Sequence, residues 1–173
     1  MRKSVLIVAA LACWPVAVSA QEAMPVAPAP AAAPAASPAD DATRFVTGII
    51  DKFNSGDAKA WVSAQAADTM IVDEFGPHTW SGAGSAQRWL DDYMKDSQAN
   101  GVTGGRVDYG KPLQATSDGT TAYIVMPTTY RFVAKGTKMA EPSNMTFVMK
   151  HGADGWKITS WTYSATGAAV PEK

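Results

Sequence analysis

The stretch TMIVDEFGPHTW brings three side chains of acid–base chemistry close together: Asp73, Glu74 and His78. Its first residues are β-branched or apolar, which predicts a strand over 69–75, and the Gly and Pro that follow predict a loop. Carboxylates and imidazoles are among the groups that most often transfer protons in enzymes. Asp73 and His78 are therefore the candidate catalytic residues, and the alternative interpretation of His78 is a solvated loop histidine.

Strand alternation decides what each carboxyl group faces. Asp73 falls on the face of Ile71 and Phe75, whereas Glu74 falls with Val72. One of the two carboxyls should point to an apolar interior, where burial disfavours the charged form and raises the pKa. Proton abstraction next to a carbonyl uses a carboxylate of this kind. The alternative is a strand-end carboxylate that bonds backbone or helix groups, since structural networks also hold perturbed acids.

The elements that position this stretch change from helical to strand period along the chain. Phe45, Ile49 and Phe53 recur at helical spacing, a second helix carries Trp61, and a third helix follows the loop. Alternating strands joined by hairpin turns are then predicted over 104–116, 120–134, 143–151 and 156–164. This order predicts an α+β fold in which three N-terminal helices pack on a curved antiparallel sheet, a cone-shaped roll with a pocket.

The N-terminal segment has the composition of a leader. Residues 1–20 have a positive start, an apolar run and small residues before position 20, which predicts a signal peptide cleaved after Ala20 and a periplasmic or secreted protein. Residues 21–40 are rich in Ala and Pro, which predicts a disordered linker. The folded domain is predicted over 41–166 and a flexible tail over 167–173.

Charge and cysteine content exclude several classes of protein. Removal of the signal peptide removes Cys13, the only cysteine, and leaves 13 basic and 16 acidic residues, a formal charge of −3. The remaining chain has no basic, aromatic-rich patch for nucleic acid and no apolar stretch long enough to be an integral membrane segment. His78 and His151 are far apart without cysteine, so we predict no metal, and no motif for a cofactor occurs.

The order of elements resembles the nuclear transport factor 2-like superfamily, which includes ketosteroid isomerase and SnoaL-like cyclases. The likeness is carried by the stretches FNSGDAKAWVSAQAADTMIVDEFG, TWSGAGSAQRWLDDY and GADGWKITSWTYS. It implies a conical pocket between the helices and the concave face of the sheet. Asp73 is similar in position to the catalytic base of ketosteroid isomerase, but Ile49 stands where that enzyme has a tyrosine donor. The resemblance leaves function open, because members are enzymes or binding domains.

Our leading hypothesis is an exported SnoaL-like domain that binds a small hydrophobic molecule in this pocket. The predicted ligand contacts are aromatic and methionine side chains: Trp61, Tyr93, Tyr123, Met145, Trp161 and Tyr163. One alternative is an isomerase, cyclase or dehydratase that uses Asp73 as general base. A further alternative is a dimeric assembly module without a ligand.

The pattern of the last predicted strand supports the alternative of a dimeric assembly module. By alternation, Trp156 and Ile158 share one face, whereas Trp161 and Tyr163 share the other. One pair would then lie on the outer face of the sheet, where a large apolar patch usually marks an interface. This predicts a homodimer through the sheet. The alternative is that a bend in the strand turns both pairs into the core.

Overall fold

The structure is a computed structural model that describes residues 36–172, so the predicted signal peptide and most of the predicted linker lie outside the described residues. The helices are α1 (Pro38–Asn54), α2 (Ala58–Ser63) and α3 (Ser85–Asn100). The strands are β1 (Gln65–Val72), β2 (Thr79–Trp80), β3 (Val102–Tyr109), β4 (Gln114–Ser117), β5 (Thr121–Ala134), β6 (Thr137–Gly152), β7 (Gly155–Ala165) and β8 (Val170–Pro171).

Side chains and glycine determine where the helices begin and end. The Asp57 carboxylate accepts the Ala60 N–H at 3.0 Å and caps α2. Gly101, in the left-handed conformation with φ 63°, ends α3. Between these helices, the Asp73 N–H donates to the His78 carbonyl at 3.0 Å and ties the β1–β2 loop into a compact turn. Asp73 therefore follows β1 directly instead of lying within it.

The strands form one curved sheet in the order β2-β1-β7-β6-β5-β3, with β4 paired to β5 and β8 paired to β6. All neighbouring strands are antiparallel except β1 and β7, which run parallel. The inner face carries the core residues of β5 and β6, among them Ile124, Met126, Phe147 and Met149. The helices pack on that face, which confirms the predicted α+β cone. The sheet differs from the predicted antiparallel one in a single respect, the parallel pairing of β1 with β7.

An irregularity in β7 changes which residues face the core. Met149 pairs with Ile158 and Val148 pairs with Ser160, so the residue between them, Thr159, is extra. Such a bulge reverses the alternation of side chains along a strand. Both predicted faces of the last strand are therefore buried: Trp156, Ile158, Trp161 and Tyr163 all belong to the core. The prediction that one pair lies on the outer face is wrong, and the bend alternative describes the strand.

The folded region extends beyond the predicted boundaries at both ends. Ser37 and Asp40 exchange hydrogen bonds in a capping box before Pro38, a residue that is favoured in the first turn of a helix. The helix thus begins three residues before the predicted start of the domain. At the other end, β8 lies within the predicted tail, and the Arg131 guanidinium contacts the Glu172 carboxylate at 2.6 Å. Within residues 36–172, none of the helices has the length and apolar character needed to span a membrane.

Candidate functional site

A cavity of about 250 Å³ lies between the helices and the concave face of the sheet. Its wall is mostly apolar and aromatic, with a few acidic and hydroxyl groups. We call it the central cavity. It is lined by Ile50, Phe53, Trp61, Asp73, Glu74, Phe75, Trp89, Tyr93, Asp96, Ser97, Asn100, Val102, Val107, Tyr130, Phe132, Glu141, Met145, Trp161 and Tyr163.

Four rings from four elements pack together in this wall and form what we call the aromatic cluster: Phe53, Trp61, Trp89 and Trp161. The ring centroids of Trp61 and Trp161 are 5.5 Å apart, and those of Trp89 and Trp161 are 4.9 Å apart; both pairs meet edge to face. Phe53 packs 5.4 Å from Trp61. Edge-to-face contacts of this kind are favourable beyond the burial of area and hold the rings in fixed positions.

Asp73 directly follows β1, and it lines the central cavity. The Trp89 indole N–H donates to Asp73 Oδ2 at 2.9 Å, and the Glu74 backbone N–H donates to Asp73 Oδ1 at 2.7 Å. Burial raises the pKa of Asp73 to about 6 because the charged form loses hydration. The two donors act in the opposite direction by stabilising the carboxylate. Asp73 can therefore hold or release a proton close to neutral pH.

Two further carboxyls, Glu74 and Glu141, form with Asp73 what we call the carboxyl cluster. Glu74 is exposed and borders the central cavity on its solvent side. Partial burial of its carboxyl group against the cavity wall, a hydrogen bond to Glu141 and repulsion from Glu141 and Asp73 raise the pKa of Glu74 well above its usual range. The Tyr163 hydroxyl donates to Glu141 Oε2 at 2.8 Å. This cluster can therefore retain a proton that carboxyls in water would lose.

Tyrosine hydroxyls supply the cavity with additional donors. The hydroxyls of Tyr93 on α3 and Tyr130 on β5 lie 2.8 Å apart, and burial raises the pKa of Tyr130. Gly105 on β3 lies directly against both, and a methyl group in its place would clash with the two hydroxyls. Ile49, which the resemblance predicts at the position of the tyrosine donor of ketosteroid isomerase, packs against the core. Tyrosine hydroxyls therefore line the cavity from α3 and β5 instead of from α1.

Most of the predicted site residues lie in the wall of the central cavity. Asp73 is there, together with the predicted ligand contacts Trp61, Tyr93, Met145, Trp161 and Tyr163. Tyr123 is not: it is 40% exposed and belongs to the outer face of β5, because Ala122 and Ile124 on either side of it face inward. The prediction of Tyr123 as a pocket residue is therefore a wrong assignment of strand face.

His78 also lies apart from the cavity wall. It is exposed in the β1–β2 loop with φ 71°, and its Nδ1 lies 3.2 Å from the Asp73 carbonyl oxygen. This contact is with the backbone of Asp73, while the carboxylate of the same residue faces Trp89. The structure therefore does not bring together the side chains of Asp73 and His78, the predicted catalytic residues.

Glu141 and Tyr130, which are absent from the predicted site residues, line the cavity from paired positions on β6 and β5. The predicted strands leave residues 135–142 as a hairpin connection, although β6 begins at Thr137. One signal was available: Glu141 has the same parity as Met145 on the inner face of that strand. Within residues 36–172, no group of three or more His, Cys, Asp or Glu side chains has an arrangement that could hold a metal ion.

Comparisons with known proteins first define the class of fold. An NTF2-like protein with a cystatin-like fold from Novosphingobium aromaticivorans is 17% identical, with a TM-score of 0.57 over 72% of this chain and 79% of that one. A ketosteroid isomerase-like protein from Erwinia carotovora atroseptica is 16% identical, with a TM-score of 0.56 over 73% and 94%. The S. rosetta CaMKII hub is 17% identical, with a TM-score of 0.58 over 76% and 98%. At these identities the likeness defines the fold alone.

The family follows from the sequence itself. The model of the SnoaL-like domain matches residues 43–168, most of the described chain. The chain belongs to the SnoaL-like domain family, and its fold is that of nuclear transport factor 2-like proteins, which confirms the resemblance seen in the sequence. No curated protein sequence matches this chain significantly.

Proposed function

We propose that this protein binds a small, largely apolar molecule in the central cavity. The observation that carries the proposal is a cavity of about 250 Å³ whose wall is mostly aromatic and aliphatic. An apolar cavity of about 150 Å³ holds benzene, so this one has room for a substituted ring. Apolar concave sites with a few polar groups are the usual form of small-molecule sites.

The test is to close the cavity from its solvent side and compare binding. Ser97 lines the cavity, whereas Ala99, two residues along α3, is exposed and does not line it. Ser97→Trp should abolish binding of substituted benzenes, detected by thermal shift and by quenching of tryptophan fluorescence. Ala99→Trp is the matched control and should bind as the natural protein does. If the natural protein binds none of a broad panel of substituted benzenes, hydrocarbons and ketones, the proposal is wrong.

Proton transfer is the second candidate function, and Asp73 is the reason to consider it. Its carboxyl group lines the cavity, has a pKa raised to about 6 and is oriented by the Trp89 indole. The hydroxyls of Tyr93 and Tyr130 line the same cavity and bond each other, which leaves one of their two O–H groups to donate to a developing oxyanion. The Tyr163 O–H is already donated to Glu141. Together these groups are the parts that isomerase, cyclase or dehydratase chemistry requires.

Deuterium exchange separates this candidate from binding alone. If the protein transfers protons, a small ketone bound in the cavity should exchange the protons next to its carbonyl for deuterium from D₂O. NMR measures the rate of this exchange, which should fall by at least about 100-fold in Asp73→Asn. Asp91→Asn is the control, because Asp91 is an exposed residue of α3, and this variant should keep the exchange rate of the natural protein. A bound ketone whose exchange is no faster than in buffer would leave binding as the only function.

Export and self-association complete the proposal. The N-terminal sequence supports cleavage after Ala20, which predicts that the protein purified from the cell envelope begins at Gln21. Tyr123 and Val148 are cross-strand partners on the outer face of the sheet, 40% and 38% exposed, and they offer a modest apolar surface for a second copy. Val148→Glu should shift sedimentation to the monomer. A natural protein that sediments only as monomer at micromolar concentration rules out the dimer.

A further inference from the structure

The charged groups in the wall of the central cavity all have one sign. Among the described residues that line it, none is Lys, Arg or His, while four are acidic: Asp73, Glu74, Asp96 and Glu141. The ion pairs within residues 36–172 use other carboxylates, none of which lines the cavity: Asp41, Asp92, Asp108 and Glu172. The wall therefore holds acidic groups that the described part of the chain does not neutralise.

The carboxyl groups of the carboxyl cluster are held at this wall by its own side chains. The Trp89 indole N–H donates to Asp73 Oδ2, and Trp89 lines the cavity. The hydroxyl of Tyr163, another lining residue, donates to Glu141 Oε2, and the Glu141 carboxyl in turn bonds that of Glu74. None of the three acidic residues is fully buried, so each keeps accessible surface that a ligand can contact.

The crowding of these carboxyls favours a cation. Like charges repel strongly where water is partly excluded, and a positive charge placed among them replaces this repulsion by attraction. A cleft that is lined by charges of one sign also concentrates ligands of the opposite sign. The wall therefore discriminates in favour of a cationic ligand and against a carboxylate or phosphate.

The rings beside the carboxyls determine the kind of cation. Phe75 lies 6.4 Å from Trp89, and Trp89 stacks on Tyr93 at 5.5 Å, so ring faces adjoin the carboxyl of Asp73. A cation close to such a face is attracted by its electrons. A metal ion is a poor match, because no group of acidic or histidine side chains within residues 36–172 has the arrangement to hold one. An organic ammonium brings its own apolar body and needs no such ligand set.

We propose that the ligand class is a protonated amine with a ring-sized apolar body, whose ammonium group lies among the carboxyls of Asp73, Glu74 and Glu141. This inference rests on the proposed ligand-binding function and specifies its ligand. The ammonium group donates hydrogen bonds to the carboxylates, and the body packs on the aromatic cluster. The site is the cavity with its aromatic wall, and the carboxyls select the charge of the molecule that it binds.

Benzylammonium and ethylbenzene test the inference, because they differ only in an ammonium group against a methyl group. In a cavity without compensating charge the hydrocarbon would bind far more tightly, since the ammonium loses its hydration on entry. With the carboxyls as partners, benzylammonium should bind at least about tenfold more tightly than ethylbenzene at pH 8. Benzoate, the anionic comparison, should bind more weakly than ethylbenzene.

Substitution assigns the preference to the carboxyl cluster. Glu141→Gln removes a charge and keeps the shape of the side chain, so it should weaken the binding of benzylammonium about tenfold and that of ethylbenzene less than about twofold. Asp91→Asn is the matched control, because it removes the same charge from an exposed position of α3 that does not line the cavity. That variant should bind both compounds as the natural protein does.

The location of the amine needs a control of its own, since the outer surface also carries carboxylates. Ser97→Trp, which closes the cavity, should abolish the binding of benzylammonium. Binding that persists in this variant would place the amine on the outer surface and overturn the inference.

A change of pH tests the natural protein without any substitution. Between pH 8 and pH 5, Asp73 and Glu74 take up protons, whereas the ammonium group and the tyrosines keep theirs. The affinity for benzylammonium, measured by titration calorimetry, should therefore fall about tenfold at pH 5, and that for ethylbenzene should stay constant. The titratable groups that line the cavity are Asp73, Glu74, Tyr93, Asp96, Tyr130, Glu141 and Tyr163.

The outcomes separate the inference from the function on which it rests. Ethylbenzene that binds as tightly as benzylammonium at pH 8, or an amine affinity that does not depend on pH, would overturn the inference and leave the proposed function intact. Absence of binding by both compounds would instead contradict the proposed function.

Discussion

The aromatic cluster and the carboxyl cluster are two parts of one cavity wall with opposite polar imbalances. The aromatic cluster has hydrogen-bond donors without acceptors, on Trp61 and Trp161. The carboxyl cluster crowds acidic groups together until burial and repulsion raise the pKa of Asp73 and Glu74. Within residues 36–172, the indole N–H of Trp89 connects the two clusters by donating a hydrogen bond to Asp73. Natural cores usually pair buried polar groups with each other, so both parts of the wall carry an imbalance that the described residues leave in place.

The largest expected effect comes from removing a ring of the aromatic cluster. Trp161→Ala should lower the free energy of unfolding by about 3–5 kcal/mol, because a buried indole is lost and a cavity remains. Tyr123→Ala, on the exposed outer face, should change it by less than about 1 kcal/mol. Urea denaturation of both variants checks the comparison. Equal losses would mean that the two faces of the sheet are not as different as their burial indicates.

In the carboxyl cluster, by contrast, removing the Asp73 carboxyl group should stabilise the protein at high pH. The pKa of Asp73 is raised to about 6 in the folded state, so its contribution to stability is present below the unfolded pKa and is lost as pH rises through 6. Asp73→Asn should therefore raise the free energy of unfolding at pH 8 by about 2–3 kcal/mol and leave it little changed at pH 4.

Urea titrations at both pH values measure this difference. The control is Asp91→Asn, an exposed change on α3 that should leave the stability at both pH values within about 0.5 kcal/mol of the natural protein. If Asp73→Asn loses as much stability as the natural protein between pH 4 and pH 8, Asp73 is not the group that titrates.

Gly105 tests the tyrosine pair of the same wall. Gly105→Ala should cost about 1–3 kcal/mol, because its methyl group would displace the Tyr93 and Tyr130 hydroxyls. Removing both hydroxyls in Gly105→Ala with Tyr93→Phe and Tyr130→Phe should recover part of that loss. Thermal denaturation of the single and triple variants measures the recovery, and a triple variant no more stable than Gly105→Ala would locate the strain elsewhere.

The smallest effect concerns the link between the clusters. Trp89→Phe removes the donor to Asp73 Oδ2 and keeps a ring, so the pKa of Asp73 should rise by about one unit above its present value. Trp80→Phe, which removes a donor to Asp92, should leave Asp73 unchanged. Carboxyl ¹³C titration measures both variants. An unchanged titration of Asp73 in Trp89→Phe would make burial its only determinant.

Local patterns predicted much of the molecule because the forces behind them are local. The helical spacing of Phe45, Ile49 and Phe53 and the alternation in β5 and β6 depend on residues a few positions apart, and the structure has a helix and two strands there. The same alternation placed Asp73 beside Ile71, on the side that became the cavity wall. The family resemblance rests on this order of elements and is confirmed.

Tertiary structure decided what no local pattern contains. The extra residue Thr159 reverses the alternation of β7, so both of its aromatic pairs enter the core. Strand pairing brings Glu141 opposite Tyr130, and helix packing brings Trp61 against Trp161 while leaving their N–H groups unpaired. Sequence alone determined the elements and the acidic residue after β1, because these follow from neighbours along the chain. Only the assembled cone decided which donors and acids share a cavity, because burial and hydrogen bonding depend on residues distant in sequence.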